Sequence, residues 1–178
     1  AASPYSYSLH YALKANSCDP LLRMISARGM GADCVSGNEI KKAVECGFPA
    51  NSIVFAGVGK SDSEILTALE HDIFCFNCES QQEIEVINAL AEKTGKKARI
   101  ALRINPNVGA GTHRYITTGI EENKFGINPW ELDEIFSFSG TLQHTEFTGL
   151  HFHIGSQITD LSIFKNLCIR VYEIQDWF

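Results

Sequence analysis

Basic residues are few and scattered, fifteen Lys and Arg against twenty-one Asp and Glu, for a net charge near −6. Without a Lys/Arg-rich run the chain offers no electrostatic footprint for a nucleic-acid backbone, so no such partner is expected. No apolar stretch approaches the roughly twenty residues of a membrane helix, and no signal-peptide pattern opens the sequence. A cytoplasmic protein with no membrane partner is therefore expected. No Pro/Gly/Ser linker, low-complexity tract or internal repeat divides it. Cysteine is present, at positions 18, 34, 46, 75, 78 and 168, but mostly inside apolar segments of a chain too large to need disulfide stapling. Cys75-Phe-Asn-Cys78 has CxxC spacing but no second pair and no redox context, and reads as a strand end.

At 178 residues the chain can bury one sizeable core, and its 44% hydrophobic content supplies it. Strand-like segments at 7–13, 31–35, 52–56, 73–77, 98–104 and 147–153 alternate with helical periodicity near 20–28, 38–46, 62–70, 81–94, 130–138 and from about 161. Asp19-Pro20 reads as a cap before a proline at the first helical position. Ser36/Glu39, Ser61/Glu64 and Ser80/Glu83 have capping-box spacing, and Gly29, Gly47 and Gly95 fall where helices stop.

Repeated β-then-α units imply parallel strands covered by helices. A doubly wound sheet would usually carry a glycine-rich turn after its first strand, and here that turn reads Leu13-Lys14-Ala15-Asn16. The last apolar helical face runs through Phe164, Leu167, Val171, Ile174 and Phe178 without a stop signal. These features favour an α/β TIM-type (β/α)8 barrel of which about six units are present, residues 1–178 forming a partial barrel domain cut at both ends.

On the first strand Tyr5, Tyr7, Leu9, Tyr11 and Leu13 share one face, and Lys14 belongs to the other. In a barrel Lys14 would project inward at the C-terminal mouth. Apolar walls there would favour the neutral amine, which can attack an aldehyde; the alternative is a lysine reaching to solvent. Arg103 shares a face with Arg99 and Ala101 and would lie beside Lys14, either as a fixed cation for a phenolate, phosphate or carboxylate or as part of a structural ion pair. Phe147, Gly149, His151 and His153 read as one face, followed by an Ile154-Gly155-Ser156 turn. A flat imidazole there can stack on a heteroaromatic ring, and the turn can offer N–H groups and a hydroxyl to a phosphate. As zinc ligands the two histidines lack a third partner, so no metal is expected. Asp33 ends the second strand; Glu39 is explained by capping. The irregular stretch 105–129 reads as an active-site loop.

Together Tyr11-Ala-Leu-Lys14-Ala-Asn16, Gly31-Ala-Asp-Cys-Val-Ser-Gly-Asn-Glu-Ile40, Ala101-Leu-Arg-Ile-Asn-Pro106, Glu122-Asn-Lys-Phe-Gly126 and Gly149-Leu-His-Phe-His-Ile-Gly-Ser-Gln157 resemble the ornithine, diaminopimelate and arginine decarboxylase family, whose pyridoxal-phosphate barrel is similar to that of alanine racemase. Tyr115-Ile-Thr-Thr-Gly119 and His153-Ile-Gly-Ser-Gln157 look most like its diaminopimelate branch. The resemblance implies pyridoxal 5′-phosphate as cofactor, with Lys14 carrying it as a Schiff base and His153 stacked on its ring. Ser156, with Gly155, would hold the phosphate, Arg103 would lie near cofactor and substrate carboxylate, and Asp33 beside the lysine. It further implies a homodimer, with a second glycine-rich phosphate segment and a β-domain belonging to sequence after residue 178, so that this piece alone would be a poor catalyst. Conversion of meso-diaminopimelate to lysine and CO2 is the leading expectation. Ornithine or arginine decarboxylation, amino-acid racemisation and a non-catalytic cofactor carrier are the alternatives. The loop departs from the family at Gly109, Gly111 and Arg114.

Overall fold

A computed structural model describes residues 7–106, 125–155 and 158–177. Six strands are interleaved with six helices: β1 (His10–Ala12), α1 (Asp19–Ser26), β2 (Gly31–Cys34), α2 (Gly37–Glu45), β3 (Ile53–Phe55), α3 (Asp62–His71), β4 (Cys75–Cys78), α4 (Gln81–Thr94), β5 (Ala98–Ile104), α5 (Leu132–Ser139), β6 (Thr145–Phe152) and α6 (Leu161–Trp177). All neighbouring strands pair in parallel, in the order β1-β2-β3-β4-β5-β6. A doubly wound sheet reverses its order partway; this one never does. It is the winding of a β/α barrel.

The two faces differ in chemistry. Tyr11, Ala32, Ile53, Phe55, Phe76, Ile100, Leu102 and Ile104 point one way, and all but the half-buried Tyr11 are at most 2% exposed. They pack under Leu22, Ile40, Ile65, Ile84, Ile87 and Ile135 of the helices, so the hydrophobic core lies between sheet and helices. The other face is His10, Ala12, Asp33, Val54, Cys75, Asn77, Ala101, Arg103, Gly149 and His151, aligned by strand register. Polar side chains on this inner face mark the chemical side of the sheet.

Helix starts follow the local signals with two adjustments. Cys18, not Asp19, takes the N-cap of α1; Asp19 is the first helical residue and pairs with Lys42 of α2. Ser36 and Ser80 accept from the N–H groups of Glu39 and Glu83, at 3.2 and 3.3 Å. Their glutamates, however, reach one residue beyond a capping box, to the N–H of Val35 and of Glu79 (both 2.7 Å). Glu64 both closes its own cap, accepting from Ser61 N–H at 3.1 Å, and accepts from Gly37 N–H at 2.9 Å, joining two helix starts.

A bulge in β6 corrects the single face expected for Phe147 through His153. Ile100 pairs with Phe147 but Ala101 pairs with Gly149, leaving Thr148 extra. Its hydroxyl donates to Ile100 O (3.0 Å) and lies 3.3 Å from Cys75 Sγ. Phe147 consequently turns to the helix side, edge-on to Phe136 of α5 at 5.3 Å, while Gly149 and His151 join the inner face. All six cysteines are free thiols; burial raises the Cys75 and Cys78 pKa values. Among the described residues no helix is long and apolar enough to cross a membrane.

Candidate active site

The inner face gathers its charged groups at the C-terminal ends of the strands. β1 stops early: Leu13–Ala15 form one 3-10 turn, anchored by Leu13 in the core (1% exposed) and closed by Tyr11 Oη donating to Asn16 O at 3.2 Å. Lys14 is thereby placed at the strand mouth. Its side chain is exposed, and its electrostatic neighbours are Asp33 and His153 rather than the apolar walls expected from sequence. Burial raises the Asp33 pKa against the opposing pull of Lys14, His10 and His153. Burial lowers the His153 pKa, helped by Arg103 and Lys14 and opposed by Glu79 and Asp33. Lys14 from the turn after β1, Asp33 of β2, Arg103 of β5 and His153 just past β6 therefore form one electrostatic cluster.

His151 lies deeper, beside Arg103 in register, and is held neutral, its pKa lowered to about 4 chiefly by burial and then by Arg103. Among the described residues three buried inner-face atoms lack a hydrogen-bond partner: Asp33 Oδ1, Glu79 Oε2 and His151 Nδ1. Buried polar atoms without partners are costly in a finished protein and are common at binding sites.

Arg103 is more constrained than its strand position suggests. Its Nη1 donates to Glu79 Oε1 at 2.6 Å, with the side chains only 13% and 7% exposed, and its guanidinium lies over the Phe125 ring at 5.9 Å. Phe125 is set there by the end of the Glu122-Asn-Lys-Phe-Gly126 motif. Ile127 N–H donates to Arg103 O, and Asn105 N–H to Ile127 O, both at 2.8 Å. Gly126 makes the turn: its φ is +101°, and a Cβ there would stand 2.9 Å from Arg103 O. Gly155, at φ +120°, turns the chain sharply after β6. Ser156 lies outside the described residues, as do Tyr115–Gly119, Glu122–Lys124, Gly109, Gly111 and Arg114.

Sequence reasoning missed Glu79, Lys60 and Glu83. Lys60, in the loop after β3, is 1% exposed; its Nζ donates to Gly57 O (2.7 Å), Asn77 O (2.9 Å) and Glu83 Oε1 (2.5 Å) and sits 5.3 Å over the Phe55 ring. The one available hint was a glutamate directly following a buried strand and a lysine in the short loop after another. Glu39 serves the start of α2. Among the described residues no His/Cys/Asp/Glu group could hold a metal ion.

The sheet is of the β/α-barrel class, and it brings lysine, arginine, aspartate and histidine to one mouth. The sequence model of the pyridoxal-dependent decarboxylases, pyridoxal binding domain, matches residues 2–176. The chain belongs to that family. It is 58% identical over 171 residues, 96% of its own length, to the diaminopimelate decarboxylase of Bacteroides thetaiotaomicron. Its structure resembles that of Helicobacter pylori diaminopimelate decarboxylase complexed with L-lysine (TM-score 0.88, 45% identity, 95% of this chain and 43% of that one). It also resembles, more distantly, the arginine decarboxylase of a Paramecium bursaria Chlorella virus (TM-score 0.72, 25% identity, 94% of this chain and 44% of that one). The chain spans 44% of the Bacteroides relative's length.

Proposed function

We propose that this chain is the cofactor-binding part of an enzyme that decarboxylates meso-2,6-diaminopimelate to L-lysine and CO2, the last step of lysine biosynthesis. The observation that carries the reading is the meeting of Lys14, Asp33, Arg103 and His153 at one sheet end, in a chain 58% identical to a diaminopimelate decarboxylase.

The inner face fits pyridoxal phosphate. It offers an exposed amine, a flat imidazole, a fixed guanidinium and buried polar atoms that await partners. When bound, this cofactor supplies an aldehyde for amines to condense with and a ring that takes up the electron pair released as CO2 leaves. Lys14 would hold the aldehyde carbon. His153 would cover one face of the ring, its lowered pKa keeping the imidazole neutral and able to stack. The Gly155-Ser156 turn would hold the phosphate. Arg103, pinned by Glu79 and Phe125, would fix the orientation of an anionic oxygen of cofactor or substrate. Asp33 would balance the positive charge of Lys14.

Residues 1–178 act in this reading as a partial barrel, completed by further β/α units and a β-domain, in a cytoplasmic homodimer; the chain alone is expected to turn over poorly. Ornithine or arginine decarboxylation is the alternative, with less support, since the arginine decarboxylase likeness stands at 25% identity. Borohydride reduction in the presence of pyridoxal phosphate, followed by peptide mass mapping, should label Lys14. The complete protein should release CO2 and lysine from meso-diaminopimelate in preference to ornithine or arginine. A label confined to other lysines overturns the site, and a preference for ornithine or arginine overturns the substrate.

A further inference from the structure

Resting on the reading above, we propose that Glu79 is a positioning residue of this site: its carboxylate fixes the guanidinium of Arg103, and the Lys60–Glu83 pair fixes Glu79 from behind. No motif of the family resemblance contains Glu79, and no local signal explains its burial.

The geometry runs in one direction, from the helix side to the inner face. Lys60 Nζ donates to Asn77 O and to Glu83 Oε1, gripping the end of β4 and the first turn of α4 together. The other oxygen of Glu83 accepts from Glu79 N–H at 2.7 Å. Ser80 between them caps α4. The four-residue connection from Asn77 to Ser80 is therefore held at its strand end, middle and helix end. On it Glu79 can point only inward. Its Oε1 accepts from Arg103 Nη1 at 2.6 Å, and its side chain is 7% exposed.

A charge-assisted bond between two nearly buried groups is short and directional. Removing one member leaves the other charged and unpaired, which makes such a pair a rigid fixture. Phe125 lies against the guanidinium, limiting its swing. Among the described residues Glu79 Oε2 is buried without a hydrogen-bond partner. Arg103 thus arrives at the site with its charge paired and its direction set, and what it can bind on the inner face is narrowed to groups along the remaining N–H directions. Around His153 the charged groups are Lys14 from the turn after β1, Asp33 from β2, Glu79 after β4 and Arg103 from β5.

The test is a double-mutant cycle in the full-length protein, with Glu79→Gln, Arg103→Met and both together. Glu79→Gln should lower kcat about 10- to 100-fold, as a misplaced orienting group does, with KM changed less than about threefold. Because Glu79 acts through Arg103, the double variant should be no slower than Arg103→Met alone. In the cofactor-free protein, the NMR titration midpoint of His153 should move down in Glu79→Gln and stay near wild type in Glu79→Asp. Asp, one methylene short of Arg103, should recover only part of kcat. Losses that multiply in the double variant, or a Glu79→Gln protein with unchanged kcat and an unmoved His153, overturn the proposal. If Glu79→Gln does not fold, the Glu79→Asp comparison with Arg103→Met carries the same cycle. Labelling of Lys14 by pyridoxal phosphate in the wild type separates the two ideas. With the label and multiplied losses only this proposal falls; without the label the functional reading falls, and this one with it.

Discussion

Replacing Lys60 by Met should be among the most damaging single changes outside the inner face. The side chain is 1% exposed, so water cannot take the place of what is lost. Met keeps an apolar stem of similar length but removes the ammonium over Phe55 and deletes three hydrogen bonds, to Gly57 O, Asn77 O and Glu83. It also leaves the carboxylate of Glu83, 13% exposed, without its counter-charge. Breaking a buried pair by removing one partner costs about 3–5 kcal/mol. Against a typical total stability of about 5–15 kcal/mol, that is about a fifth of the whole or more. With a urea m-value of about 2 kcal/mol/M, the unfolding midpoint should fall by about 2 M. The companion variant decides the mechanism. Lys60→Met with Glu83→Gln removes the stranded charge but keeps an acceptor for Glu79 N–H. Two carbonyls lack a donor in both variants, at about 1–3 kcal/mol each, but only the single variant strands a charge, so the double variant should be the more stable. Equilibrium urea unfolding followed by circular dichroism reads both. A Lys60→Met loss below about 1 kcal/mol, or a double variant less stable than the single, refutes the buried-pair account.

Two further outcomes test the inner face. His151, ordinarily near 6.5 and here about 4, binds fewer protons folded than unfolded across that window, so stability should fall as pH drops from about 6.5 to about 4. The contribution is about 3 kcal/mol, and His151→Phe should flatten this part of the stability–pH profile measured by thermal melts. Gly126→Ala forces an L side chain to φ +101° against Arg103 O and should cost about 1–3 kcal/mol in thermal unfolding, while Ala at the solvent-facing Gly140 costs far less.

Much of the framework was legible because each element advertised itself locally. The alternation of Ala98 through Ile104 gave β5 its bounds, and Ser80 with Gly95 gave those of α4. The misreadings have physical causes. β1 runs only from His10 to Ala12, because parallel pairing with Gly31–Asp33 is all that supports it and the chain tightens into the turn that carries Lys14. The phase of β6 was wrong before Gly149, since a bulge at Thr148 leaves no pattern in a single strand; it exists only against Ile100 and Ala101. That Lys14, Arg103 and His153 would meet at one sheet end could be read because strand alternation and recognisable motifs flagged them. Glu79, Lys60 and Glu83 could not. Each has an innocent local explanation as loop or cap residue, and their association spans 23 and 24 positions in the chain.

The uninterrupted order of the strands bears on how such a chain is made. Each new β/α unit lies against the one synthesised just before it, so a ribosome releasing residues from the amino end delivers every strand to a template already waiting. From β1 to β6 the loop closed at each step is one crossover long, which keeps the entropic toll of these pairings small. Growth by accretion also means that the advancing border is always a bare strand. At any pause that border is β1's opposite number, and on β6 it presents eight residues of backbone, Thr145–Phe152, to whatever arrives next.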